Sequence, residues 1–203
     1  MAGWNVHNGT AVSLPQANVD TDQLIPARFM SVPRSEGYGP YLLHDLRRDD
    51  GGGLRPDFLL NTCPEASVIV SRRNFGSGSS REAAVYALVD AGIRAVIAPS
   101  FGDIFAANAV NNGLLPAEVD EDTCKALEAG LENGPCDIRI DVGARRLTLG
   151  AMSATFVLDD SWAIKLINGW DDIDLTRNHG VAIAVFKHIR SQTAPWAWPA
   201  AAD

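Results

Sequence analysis

The sequence is poor in several things, and each shortage excludes a class. Cysteine occurs three times in 203 residues, at Cys63, Cys124 and Cys136, with no C-x-x-C spacing among them. A disulfide framework, a zinc site and a self-contained iron–sulfur site are therefore not expected. Basic charge is scarce too: 17 Lys and Arg stand against 25 Asp and Glu, for a net charge of −8. That balance opposes binding to nucleic acid or to anionic membranes. No apolar run approaches the roughly 18 residues of a membrane span. Met1 to Thr10 lacks a basic segment followed by a hydrophobic one, so the expected compartment is cytoplasmic. The four histidines, His7, His44, His179 and His188, show no ligand spacing and read as scattered surface or loop residues.

What remains describes one α/β domain over residues 1–203, long enough to bury about 70 per cent of its unfolded surface without disulfides. Ser31 to Pro56 is polar, contains "DDGGGLRP", and reads as a long mobile loop. Ser67–Ser71, "SVIVS", is a β-branched run suited to a buried strand; Arg81–Ala91 has helical content; Ile93–Ala98 is a second strand. The pattern is a β–α–β unit, which then repeats. Ser100 and Asp103 form an S-x-x-D cap, a helix runs to about Asn112, and "LLP" resumes as strand. A helix over Asp120–Gly130 precedes short strands at Asp137–Asp141, Arg146–Leu149 and Ala154–Val157. Helices at Asp160–Asn168 and Gly180–Ser191 close the chain, and residues 192–203 read as an irregular tail. The hairpin-like strands make the sheet mixed rather than purely parallel.

Asn74–Glu82, "NFGSGSSRE", is the most informative segment. Gly76 and Gly78 permit a tight turn where a strand runs into a helix, the usual ligand position in open α/β sheets. A helix N-terminus there offers free amides to an anion, and Arg81 adds a fork suited to a carboxylate or phosphate. Ser79-x-x-Glu82 is equally a capping box that needs no ligand at all. Asn18–Phe29, "NVDTDQLIPARF", carries Asp20, Thr21 and Asp22, either a self-capped turn or polar groups beside a ligand. Ala98–Pro116, "APSFGDIFAANAVNNGLLP", reads most simply as a capped helix with a packing face.

In this order, and with "NGWDDIDLT" at Asn168–Thr176, these segments resemble the small subunit of isopropylmalate dehydratase, a family sharing the fold of the aconitase swivelling C-terminal domain. The resemblance spans nearly the whole chain. It implies an aconitase-type swivelling β/β/α domain with a mixed sheet, and a hydro-lyase of leucine biosynthesis that exchanges 2-isopropylmalate and 3-isopropylmalate by dehydration and rehydration. It further implies no cofactor in this chain, a 4Fe-4S cluster on a large-subunit partner, and a small dicarboxylate substrate. By the same resemblance Ser79 is the catalytic base, while Ser80, Arg81, Thr21, Asp22 and Arg34 contact substrate. The Ser31–Pro56 loop would cover the substrate's variable group, with Tyr38, Tyr41 and Leu42 as apolar contacts.

The chain departs from the family pattern at three places. Ala83 stands where "G-S-S-R-E-H-A" has histidine, Ser77 where many bacterial members have cysteine, and Val85 where proline is frequent. Two alternatives follow: a paralogous hydro-lyase subunit for another 2-alkylmalate or a citraconate-type substrate, or a non-catalytic interaction subunit. The intact G-S-S-R run opposes the second, because a scaffold needs the cap but not the arginine. An obligatory partner also requires exposed apolar surface, which the sequence alone does not place.

Overall fold

The computed structural model describes residues 2–198. Aliphatic runs near the start and at 66–71 become β1 (Val6–Leu14) and β2 (Ala66–Ser71), which pair in parallel with Val12 opposite Ile69. Every residue of β2 is buried, as befits a strand covered on both faces. β3 (Ala95–Ala98) adds to β2 in parallel, and β4 (Leu115–Glu118) adds to β3. β4 is an edge strand, which is why Pro116, lacking an amide donor, is tolerated there. On its other side β1 pairs antiparallel with β5 (Cys136–Asp141), followed by β6 (Arg146–Leu149) and β7 (Met152–Thr155). The resulting seven-stranded mixed sheet has the order β4-β3-β2-β1-β5-β6-β7. It curls far enough that Val157, just past β7, bridges to Glu118 of β4.

Alternation along the strands sends Ile69 and Val96 to one face of the sheet and Val68, Val70 and Ile97 to the other. Between β1 and β2 lie three single-turn helices, α1 (Thr21–Leu24), α2 (His44–Arg47) and α3 (Leu59–Thr62). The parallel crossovers are α4 (Glu82–Asp90), between β2 and β3, and α5 (Asp103–Asn111), between β3 and β4. α4 joins the Ile69 face through Ala84, Ala87 and Leu88. α6 (Glu121–Gly130) and α7 (Asp160–Asn168) cover the opposite face with Leu127 and Leu166. α8 (Asp172–Arg177) and α9 (Gly180–Thr193) follow. Among the described residues no helix is long and apolar enough to cross a membrane.

Several local expectations are corrected. The Ser31–Pro56 segment is no open loop: it folds as two 3-10 turns and α2, with Tyr38, Leu42 and Leu43 buried against the core. Gly39 lies so close to the end of α4 that a Cβ would meet the Asp90 carbonyl at 2.7 Å. Tyr38 and Leu42 thus serve the core rather than a ligand. β7 starts two residues earlier than expected, because Val157 leaves the hairpin to bond its amide to the Glu118 carbonyl at 2.7 Å. α8 was not foreseen. Its signal is the Asp171/Asp174 pair, whose side chains each accept from the other's amide in a capping box. α9 extends to Thr193 and a 3-10 turn occupies Pro195–Ala197, while residues 199–203 of the expected tail lie outside the described ones.

Candidate active site

Three loops leave the carboxyl ends of the adjacent parallel strands β1, β2 and β3, and they are zipped together by backbone bonds. The Gly76 amide donates to the Val19 carbonyl at 2.7 Å and the Thr21 amide to the Ser77 carbonyl at 2.9 Å. On the other flank the Phe75 amide reaches the Ser100 carbonyl at 3.0 Å and the Gly102 amide reaches the Phe75 carbonyl at 2.9 Å. Residues 75–77 therefore act as an extra strand between the loops carrying Thr21 and Gly102. Gly76 and Gly78 have φ of +72° and +92°, and a Cβ at Gly76 would fall 2.1 Å from the Phe105 ring. Glycine is required there both for the backbone conformation and for the space. Phe75 is fully buried edge-on to Phe105, with ring centroids 5.5 Å apart, which anchors the loop from below.

This zipper explains why neither expected cap forms. Thr21, only 2 % exposed, donates its hydroxyl to the Ser79 carbonyl at 2.9 Å, holding residues 77–80 against α1 and away from helical geometry. α4 consequently begins at Glu82, with Arg81 extended at the N-cap and no side chain capping it. The Glu82 carboxylate instead accepts from Asn112 at 3.0 Å. Ser100, expected to cap α5, accepts the Asn74 amide at 2.8 Å, and Gly102 takes the N-cap position. The first amides of α4 keep their capacity to bond an anion. Ser79 and Ser80 are exposed, and among the described residues neither hydroxyl has a partner. Asp20 caps α1, accepting the Gln23 amide at 2.7 Å.

The structure brings together five of the six residues singled out from the sequence: Ser79, Ser80, Arg81, Thr21 and Asp22. Arg81 pairs with Asp22 through Nη1, and its side chain is 19 % exposed against 57 % for the aspartate. Arg34 is not among them. Its guanidinium forks onto Asp90 at 2.7 and 2.9 Å and lies 4.3 Å from the centre of the Tyr86 ring, at the far end of α4. Nine residues of helix separate that end from Ser79, about 12 Å. Ala83 faces inward and packs in the core, so the departure from the family's histidine lies outside the cleft.

The cleft measures about 180 Å³ and is lined by Thr21, residues 76–81 and residues 102–105. Self-sufficient small-molecule pockets run to about 300–1,000 Å³. The wall formed by Gly102, Asp103, exposed Ile104 and Phe105 was missed by reading that segment as a packing helix. Its signal was positional: it follows the parallel strand next to β2.

Two of the three cysteines, Cys63 and Cys124, are buried. Burial raises the Cys63 thiol, and burial beside Glu128 and Glu121 pushes Cys124 up to about 11, so neither is appreciably ionised near neutrality. Among the described residues no three His, Cys, Asp or Glu side chains gather in a way that could hold a metal ion.

The chain is similar to known proteins over nearly its whole length. Residues 1–122 match the family model of the aconitase C-terminal domain. Over 204 residues the chain is 43 % identical to a 3-isopropylmalate dehydratase small subunit of Shewanella sp. (strain ANA-3), covering 97 % of this chain and 99 % of that one. It is 41 % identical to the same subunit of Shouchella clausii (strain KSM-K16), covering 92 % and 95 %. With Frankia alni the identity is 40 %, over 96 % and 98 %. In fold it resembles the crystal structure of a 3-isopropylmalate dehydratase from Methanocaldococcus jannaschii, with a TM-score of 0.65 at 24 % identity over 88 % of this chain and 98 % of the other.

Proposed function

The chain belongs to the family of 3-isopropylmalate dehydratase small subunits, whose fold is the C-terminal domain of aconitase, and from that membership we propose that its cleft is the proton-abstracting, carboxylate-binding half of an active site completed by a large subunit. It is a hydro-lyase subunit. The reaction exchanges 2-isopropylmalate and 3-isopropylmalate by removing and restoring water. The observation that carries the assignment of roles is the pairing of two unpartnered hydroxyls, Ser79 and Ser80, with a preorganised Arg81 at the uncapped start of α4.

Ser79 is positioned to take the proton next to a substrate carboxylate. A free alcohol is far too weak an acid to ionise unaided, so the alkoxide has to be stabilised by its surroundings. The open amides at the start of α4 and the Arg81 guanidinium supply that positive potential. Only Nη1 of Arg81 is taken up by Asp22, which leaves the other edge of the fork for a substrate carboxylate. Asp22 acts through Arg81 as a positioning residue, and Thr21 does the same for Ser79 through the carbonyl bond. Ser80, one residue nearer the helix, contributes a hydroxyl to the carboxylate.

Among the described residues no His, Cys, Asp or Glu group could hold a metal ion, so the residues of this chain do not fit a 4Fe-4S cluster. On this reading the cluster, acting on the leaving hydroxyl as a Lewis acid, belongs to the large subunit. The small cleft volume supports a site that is closed by a second chain.

Arg81→Lys tests the carboxylate role in the reconstituted complex. Replacing a planar fork with a point charge is expected to raise KM for isopropylmalate on the order of tenfold or more, with a smaller change in kcat. An unchanged KM would remove Arg81 from the substrate.

A further inference from the structure

α9 is a helix without a core. None of its fourteen residues is buried, although one side of it is apolar. Val181, Val185 and Ile189 recur at four-residue steps with Phe186 beside them, and these four are 54–83 % exposed. Trp196, in the turn that follows, is exposed as well. By contrast α6 and α7 turn Leu127 and Leu166 fully inward. With Trp196, five large apolar side chains stand exposed along one stretch of the surface, the composition of an interface core rather than of a solvated face.

Charge selects the occupant. From Asn178 to Trp198 there is no acidic residue, and Arg190, one turn beyond Phe186, borders the stripe, in a chain whose net charge is −8. Packing α9 against α9 of a second copy would bring two arginines to a seam with no carboxylate on either helix. An apolar groove bordered by carboxylates on a different chain fits both the stripe and its flanks. The base of the arm is firm: Lys165 of α7, itself buried, pairs with Asp172 of α8 and bonds Asn111 of α5 at 3.1 Å. Asn111 ends the helix whose first residue, Asp103, lines the cleft, so the arm springs from a point about 12 Å behind the site.

We propose that α9 and the turn after it form the arm by which this chain docks on its large subunit, the apolar stripe entering a groove and Arg190 meeting a carboxylate on its rim. This rests on reading the chain as a small subunit. Anchored there, the arm holds the large subunit while leaving the mouth of the cleft free to face it.

The test uses the full chain and its purified large subunit. Because Val185 and Phe186 are exposed in the free chain, the V185D/F186D double variant should keep the wild-type melting temperature and circular dichroism. Its Kd for the large subunit should rise on the order of 100-fold, the scale of a lost apolar anchor, and saturating large subunit should restore turnover. R190E should weaken binding several-fold and flatten its dependence on salt. A Kd unchanged in both variants would overturn the proposal. So would a wild-type chain that sediments as a dimer and becomes monomeric on V185D/F186D, or variants that lose only binding to anionic vesicles. Should the wild-type chain itself fail to bind the large subunit, the small-subunit reading falls together with the docking arm.

Discussion

Thr21 shows how much of the site is decided by one side chain that touches no ligand. Its hydroxyl holds the Ser79 carbonyl, and through it the serine faces the cleft instead of the first turn of α4. Thr21→Val keeps the shape and removes that bond. The expected cost is about 1–2 kcal/mol of stability from an unsatisfied carbonyl. In the complex kcat should fall on the order of tenfold while KM moves little, because the base is displaced but Arg81 is not; a proportional rise in KM would indicate a merely structural role. From residue types alone Ser79, Ser80, Arg81 and Asp22 read equally well as caps and turns; their proposed roles came from the ordered family motifs, and the structure adds that Thr21, Asp22 and Arg81 meet residues 79–80 in one place. Their hydrogen bonds were not legible. The capping box at Ser79 and the cap at Ser100 are locally sound choices that lost to pairing across the loops, an interaction between segments more than fifty residues apart in the case of Thr21 and Ser79.

Among elements, β2 to β7 and the longer helices followed from periodicity because their burial is decided by alternating or helical apolar positions, whereas the nine-residue β1, with its half-exposed start, carried no such signal. What periodicity could not show was which surfaces meet. The Ser31–Pro56 segment looks like loop by composition, yet Leu42 and Leu43 close it onto α4, and Arg34 is drawn to Asp90 rather than to the cleft. α8 escaped notice because its stability comes from a cap and from Lys165, a contact no local pattern reveals. That contact has a pH signature. The Lys165 ammonium, with Asn111, holds the Asp172 carboxyl below its ordinary value. A carboxyl depressed in the folded state contributes stability that is complete above the unfolded value, near pH 4, and is lost as pH falls through the lower folded value. Asp172→Asn should therefore destabilise the protein near neutrality by on the order of 1–2 kcal/mol, less than a fully buried pair would cost because water reaches the aspartate. Melting curves from pH 7 down to about pH 3 should show the wild-type and variant converging at the acid end; parallel curves would exclude the pair as the source.

At the scale of the whole molecule, a chain with a full core and a seven-stranded sheet carries its candidate site in a small open cleft and ends in a helix, α9, with no buried residue. The relatives are named small subunits, which implies a large-subunit partner. What sequence could not supply was the direction in which the chain is incomplete, because exposure is a property of the folded surface. Net charge bears on the proposal too: on that reading a dianionic substrate would enter an acidic molecule through a local concentration of donors, Arg81 and the open end of α4. The central claim is that Ser79 removes the proton. The most direct measurement is kcat and substrate Kd of the complex assembled with Ser79→Ala. The account predicts a kcat lowered on the order of 1,000-fold or more, with substrate Kd within a few-fold of wild type; a complex that binds and turns over isopropylmalate at the wild-type rate would contradict it.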